Sequence, residues 1–174
     1  MGEKLAVVVG GGPAPGINGV ISAIAFEAIK QGLDVVGIYD GFKWLSRGDT
    51  AHTVSLQNSE VSRIHLRGGS IIRTSRDNPT KSPEKMANVV KALTSLGISY
   101  LVTIGGDDTA LSARFIADAS AGAIRVAHVP KTIDNDVEGT DQTFGFDTAV
   151  SIVTEAIDRL HTTAESHQRV MVVE

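Results

Sequence analysis

The chain has 174 residues, 42% of them hydrophobic and 21% charged, a balance that suits one ordinary globular domain and argues against disordered and fibrous classes. A formal net charge of -4 leaves no basic footprint, and no local cluster of Lys and Arg is long enough to supply one, so no nucleic-acid partner is expected. Cysteine is absent, which excludes disulfides and thiolate metal sites and leaves oxygen and imidazole ligands, a set that points to magnesium rather than zinc.

The first apolar run, Leu5 to Val9, is too short for a signal h-region or a membrane span, so a cytoplasmic protein with no membrane partner is expected. It reads as the first of five buried strands; the others are Asp34 to Tyr39, Tyr100 to Ile104, Ile124 to Val129 and Val170 to Val173. Between them, Ile17, Val20, Ile21, Ile24, Ala25 and Ala28 follow helical spacing. So do Met86, Val89, Val90, Leu93 and Leu96, with Pro83 suited to a first helical turn, and Ile152, Val153, Ala156, Ile157 and Leu160. The polar stretch from Arg47 to Pro79 reads as short strands and loops. Alternating strands and helices predict an α/β fold of Rossmann-like three-layer form, a parallel sheet sandwiched by helices with ligands outside the carboxyl ends of its strands. The chain stops at Glu174 directly after the last apolar run, which reads as a cut rather than a finished chain.

Three constellations fall at such strand ends. Gly10, Gly11 and Gly12 follow the first strand and lead into the helix from Ile17. Adjacent glycines let backbone N–H groups turn inwards, and a helix start adds partial positive charge, so the turn can hold a phosphate; a plain glycine turn is the alternative. The spacing matches neither the P-loop nor the dinucleotide fingerprint. Gly105-Gly106-Asp107-Asp108-Thr109 offers two carboxylates for magnesium, or one of them as a helix cap. Lys131-Thr132-Ile133-Asp134-Asn135-Asp136 sets several oxygens beside a cation, as a general base with its supporting groups requires; an Asx-rich turn is the alternative.

Taken in order, GGxAPGxN, GGDD, PKTIDND, GTDxTxGFxTA and SHQR resemble the phosphofructokinase family along essentially the whole chain. The resemblance implies the N-terminal portion of an enzyme that phosphorylates the 1-hydroxyl of fructose 6-phosphate with magnesium. Residues 1–137 would form the phosphate-donor domain and 138–174 the start of a truncated sugar-phosphate domain. By motif position, Gly11 and Gly12 would cradle the donor phosphates and Asp107 would hold magnesium. Thr132, Asp134 and Asp136 would meet the sugar, with Asp134 as base and Asp136 supporting it. Arg76 would stabilise the moving phosphoryl group, and Arg169 would reach the sugar 6-phosphate of a neighbouring subunit, implying a homodimer or homotetramer.

ATP-using members resemble one another in carrying glycine at the positions of Asp108 and Lys131, whereas pyrophosphate users resemble this chain at both. Pyrophosphate is therefore the expected donor and ATP the alternative, with Asp108 and Lys131 as donor-binding residues. Pro13, where ATP users often carry aspartate, fits the pyrophosphate side. Arg73 stands where a small residue is usual, either as an extra cation near the donor or as a solvent-facing side chain. GGDD alone also resembles NAD kinases and lipid kinases, to which PKTIDND and SHQR do not belong. A non-catalytic subunit binding sugar phosphate or nucleotide is the alternative from another class, and weak or no turnover is expected of this chain alone, which the resemblance gives an incomplete sugar clamp.

Overall fold

The computed structural model describes residues 2–173; Glu174, the expected end of the second segment, lies outside the described residues. Strand β1 (Lys4–Val9) pairs in parallel with β2 (Asp34–Ile38) on one side and β4 (Ile98–Gly105) on the other. Its five residues Leu5 to Val9 are all buried. A strand covered on both faces cannot alternate apolar with polar, and this accounts for the unbroken run LAVVV. The sheet continues through β5 (Arg125–Thr132) and the two-residue β6 (Phe144–Gly145), both parallel, in the order β3-β2-β1-β4-β5-β6. Only β3 (Thr53–Ser55), at the edge beside β2, is antiparallel.

Alternate side chains of β1 feed two cores. Leu5, Val7 and Val9 meet Ile17, Ile21, Ala25 and Ala28 of helix α1 (Ile17–Lys30), with Val61 of the short α2 (Asn58–Val61) and Ile64 beyond. Ala6 and Val8 face Met86, Val89, Ala92 and Leu93 of α3 (Pro83–Ser95) and Ile116 of α4 (Asp107–Ala119), with Phe42 and Leu45 filling one end. Each such Leu, Ile or Phe removed from water contributes about 1.5–3 kcal/mol before the entropy cost. Helix α3 starts as its sequence suggests, with Ser82 as the cap accepting from Lys85 N–H and Pro83 in the first turn.

The expected three-layer α/β sandwich is present, as are four of the five strands, but two expectations change. Arg47 to Pro79 holds a single short strand, β3; the rest includes α2 and one-turn helices at Ile64–Leu66 and Pro79–Lys81. Polar composition there marked irregular backbone without fixing its kind. Val170 to Val173 is not a strand. Helix α5 (Phe146–His167) ends at Gln168 in a left-handed conformation, and the chain then runs free of the sheet with Val170 and Val172 about nine-tenths exposed. A β-branched run becomes a strand only beside a partner edge, and none is offered to it among the described residues. The stripe Ile152, Val153, Ile157 and Leu160 does lie on a helix, but α5 buries none of its residues.

Burial therefore separates two helical stripes that look alike in sequence. Leu101→Ala, at a fully buried position of β4, is expected to cost about 2–5 kcal/mol in urea unfolding of this chain, whereas Ile157→Ala on α5 should change stability by less than about 0.5 kcal/mol.

Candidate active site

At the carboxyl ends of β1, β4 and β5 lies a cleft of about 880 Å³. Gly11, Gly12, Arg76, Asp107, Asp108, Lys131, Thr132, Asp134 and Asp136 all line it. Residues up to 125 apart in sequence meet there because three parallel strands end on the same side of the sheet.

Two strand ends are brought together by one side chain. Thr109, in the first turn of α4, is packed so closely that a Cβ on Gly10 or on Gly105 would fall 2.4 or 2.3 Å from its hydroxyl oxygen. Gly10 N–H donates to Ile104 O at 2.8 Å, closing the contact. These glycines thus serve close approach, and the expectation that the glycine amides face an anion is corrected. The Gly10 and Gly11 N–H groups are both committed, the latter to Ser75 O at 2.9 Å, and only Gly12 N–H has no partner among the described residues. The start of α1 also lies outside the cleft, since its cap Gly16 packs against Phe144; the helix that opens into the cleft is α4.

Arg76 is carried by a strap, residues 73–77, that crosses the glycine turn. Thr74 Oγ1 donates to Gly11 O at 2.7 Å, so the strap and turn hold each other. Lys131, at the end of β5, is only 3% exposed, and its ammonium donates to Gly12 O. Burial first, and then the nearby charge of Arg76, pulls its pKa below the usual lysine range. The carboxylates behave differently: Asp107 and Asp108 occupy the first turn of α4 behind Gly106, which has no side-chain cap. Neither is a helix cap, so that alternative falls, and neither forms an ion pair among the described residues. On β5, burial likewise lowers the pKa of His128, opposed by a hydrogen bond with the Gly105 backbone and by the charge of Asp107.

The turn bearing Asp134 is tied from behind. Asp134 N–H donates to Thr132 Oγ1 at 3.0 Å, and Asn135 adopts a left-handed φ of 54°. Buried Thr143 donates its N–H to Asn135 Oδ1 at 2.8 Å and its hydroxyl to Thr132 O at 3.0 Å. Asp134 and Asp136 themselves are exposed to the cleft. Thr143 and Asn135 sit inside recognised motifs, yet their supporting part is visible only once the turn is folded.

Arg169 does not join the cleft; it lies exposed just past α5, its N–H on Ala164 O at 2.9 Å. Arg73 is also outside. Its φ of 58° is left-handed, where glycine is least strained, and its guanidinium lies over the Tyr39 ring and 3.6 Å from Asp40. Of its two readings, the exposed one holds. Residues that the motifs did not single out but which line the cleft include Phe42, Ser75, Asn78, Lys81 and Ser112.

A mostly parallel sheet with a cleft of glycine turn, buried lysine, arginine and paired carboxylates at its strand ends defines an α/β domain of the three-layer class. Comparison narrows the class: the phosphofructokinase family model matches residues 4–174, and the chain belongs to that family. It is 56% identical over 162 residues to pyrophosphate–fructose 6-phosphate 1-phosphotransferase of Thermotoga maritima, covering 92% of this chain and 39% of that protein. It is 44% identical over 180 residues to ATP-dependent 6-phosphofructokinase of Chloroflexus aggregans, covering 99% of this chain and 49% of the other. Among solved structures, phosphofructokinase from Saccharomyces cerevisiae superposes with a TM-score of 0.86 at 28% identity, covering 95% of this chain and 25% of that one. The chain spans less than half the length of these relatives.

Thr143→Val keeps the N–H tie to Asn135 but removes the hydroxyl's bond to Thr132 O, and should destabilise the chain by about 1–3 kcal/mol. In the full natural chain it should lower kcat more than it raises the KM for either substrate, as steady-state kinetics would record.

Proposed function

We propose that this chain supplies the donor side of a phosphotransferase that moves a phosphoryl group from pyrophosphate to the 1-hydroxyl of fructose 6-phosphate. The observation that carries this reading is the meeting of Arg76, buried Lys131 and the free Gly12 amide around one volume, with Asp134 in the same cleft. Phosphoryl transfer asks mostly for positioning and charge neutralisation, which fixed cations supply without reorganisation. Asp134 takes the proton from the sugar 1-hydroxyl as that oxygen bonds to the nearer phosphorus. The bond from this phosphorus to the bridging oxygen breaks, and its electron pair leaves with the departing phosphate. Thr132 and Asp136 orient the sugar and Asp134.

The residues present fit magnesium. Among the described residues no group of three or more His, Cys, Asp or Glu could hold a metal by itself, which suits an ion that takes one or two carboxylates and completes its shell with substrate phosphates. Asp107, uncommitted to a cap or ion pair, would hold it, and the ion supplies charge neutralisation of the donor. Residues 138–174 would begin the sugar-phosphate domain, and Arg169 would serve a neighbouring subunit of a cytoplasmic homodimer or homotetramer.

Pyrophosphate is favoured over ATP because Asp108 and the Lys131 side chain occupy the cleft where family members that use ATP resemble one another in carrying glycine. ATP remains the second reading, favoured by the 880 Å³ of the cleft and by relatives named ATP-dependent at up to 48% identity. The two separate on formation of fructose 1,6-bisphosphate by the full natural chain with pyrophosphate or ATP in parallel. Product with pyrophosphate alone is expected, ATP alone would overturn the donor, and none with either would leave a binding subunit. Asp108→Gly should raise turnover with ATP; an unchanged preference would refute the steric account.

Lys131 adds a pH signature. In the unliganded chain the unfolded state binds its proton more tightly, so stability should rise with pH between the lowered and the usual lysine pKa. A bound anion favours the charged form, so donor affinity should be full below the lowered pKa and fall as pH rises through it. Calorimetric titration of pyrophosphate across this range should show a slope that Lys131→Met reduces.

A further inference from the structure

Resting on that reading, we infer that Asn78, with Lys81, forms a binding pocket for the phosphate that leaves the donor. Asn78 is only 8% exposed, yet it lines the cleft. Its Oδ1 accepts from Thr80 N–H at 2.9 Å, Thr80 Oγ1 at 2.7 Å and Ser112 Oγ at 3.4 Å. A backbone N–H among these donors fixes which end of the amide is oxygen. The other end, Nδ2, has two protons and no partner among the described residues, and Asn78 lines the cleft. A side chain held this firmly by its oxygen presents its amide as a fixed donor, which suits an anion's oxygen.

The surroundings agree in charge. Lys81 lines the same cleft, is exposed, and has no ion-pair partner among the described residues. Asp77, which would repel an anion, is held by Lys85 at 3.3 Å. Ser112 Oγ stands between Asn78 and α4, and its one proton can go to Asp108 O, 2.8 Å away, or to Asn78 Oδ1, but not to both. The first-turn amides of Asp107 and Asp108 have no backbone acceptor, and the partial positive charge of that helix start offsets the Asp108 carboxylate. The glycine turn, Arg76 and Lys131 serve the moving phosphoryl group and Asp134 serves the sugar, so these remaining groups on the α4 side are the ones left to receive the departing phosphate.

The test is titration of the full natural chain with inorganic phosphate, in the presence of fructose 6-phosphate so that its own phosphate site is filled, read by calorimetry and thermal shift. Asn78→Asp keeps the oxygen that Thr80 and Ser112 bind but replaces the amide with a repelling oxygen. We expect it to weaken phosphate binding about tenfold or more, with the unliganded melting temperature little changed. Lys81→Met, at a side chain with no internal partner, should weaken binding severalfold even if Asn78→Asp folds poorly. Unchanged phosphate affinity in both variants, or no saturable phosphate binding by the wild type, would overturn the assignment. Turnover of the wild type with ATP alone would refute pyrophosphate as donor while leaving the phosphate titration to decide Asn78.

Discussion

The site depends on how closely the first turn of α4 can approach two strand ends. Thr109 fills the space that side chains on Gly10 and Gly105 would need, so α4 sits directly over the ends of β1 and β4. Any larger residue at either glycine would push the helix out and carry Asp107 and Asp108 with it. Close packing makes this costly, because interiors leave no slack to absorb a displaced backbone. The glycine turn then has its shape as a by-product of the contact, with two amides spent inside the protein and one left for ligand.

Around that contact the fold uses irregular segments as straps. The 73–77 strap is pinned to the glycine turn through Thr74 and Ser75, and the Asp134 turn is pinned through Thr143 and Asn135. In both cases a threonine hydroxyl donates to a backbone carbonyl, fixing a loop whose own conformation is otherwise weakly determined. Rigid support of this kind is what positioning catalysis requires, since small misplacements of a base or cation cost large factors in rate.

Charge is divided unequally across the cleft. Lys131 is buried and fixed, whereas Asp107, Asp108, Asp134 and Asp136 remain exposed. Burial lowers the pKa of Lys131, and a bound anion would favour its charged form. Exposed carboxylates can exchange water for a metal ion or a substrate hydroxyl. The arrangement sets a buried cation opposite exposed carboxylates across one cleft.

Much of this was legible in the sequence. The unbroken run LAVVV read as a buried strand, Pro83 suited a first helical turn, and all but one of the site residues expected from the resemblance line one cleft. What failed was an inference that needed a neighbour: Val170 to Val173 had strand propensity without an edge to pair with. The stripe on α5 does form the helix its period implied, with no residue of it buried. The backbone choices were equally hidden, since glycine composition alone cannot tell an amide aimed at a ligand from one aimed at Ser75 O. Asn78 carried no signal of its own and Thr143 only its place in a motif, because their parts are set by partners 34 and 11 residues away that only the folded chain brings into contact. Local pattern and motif order determined the elements and the family; side-chain orientation, and so the division of the cleft among its ligands, was decided by long-range packing.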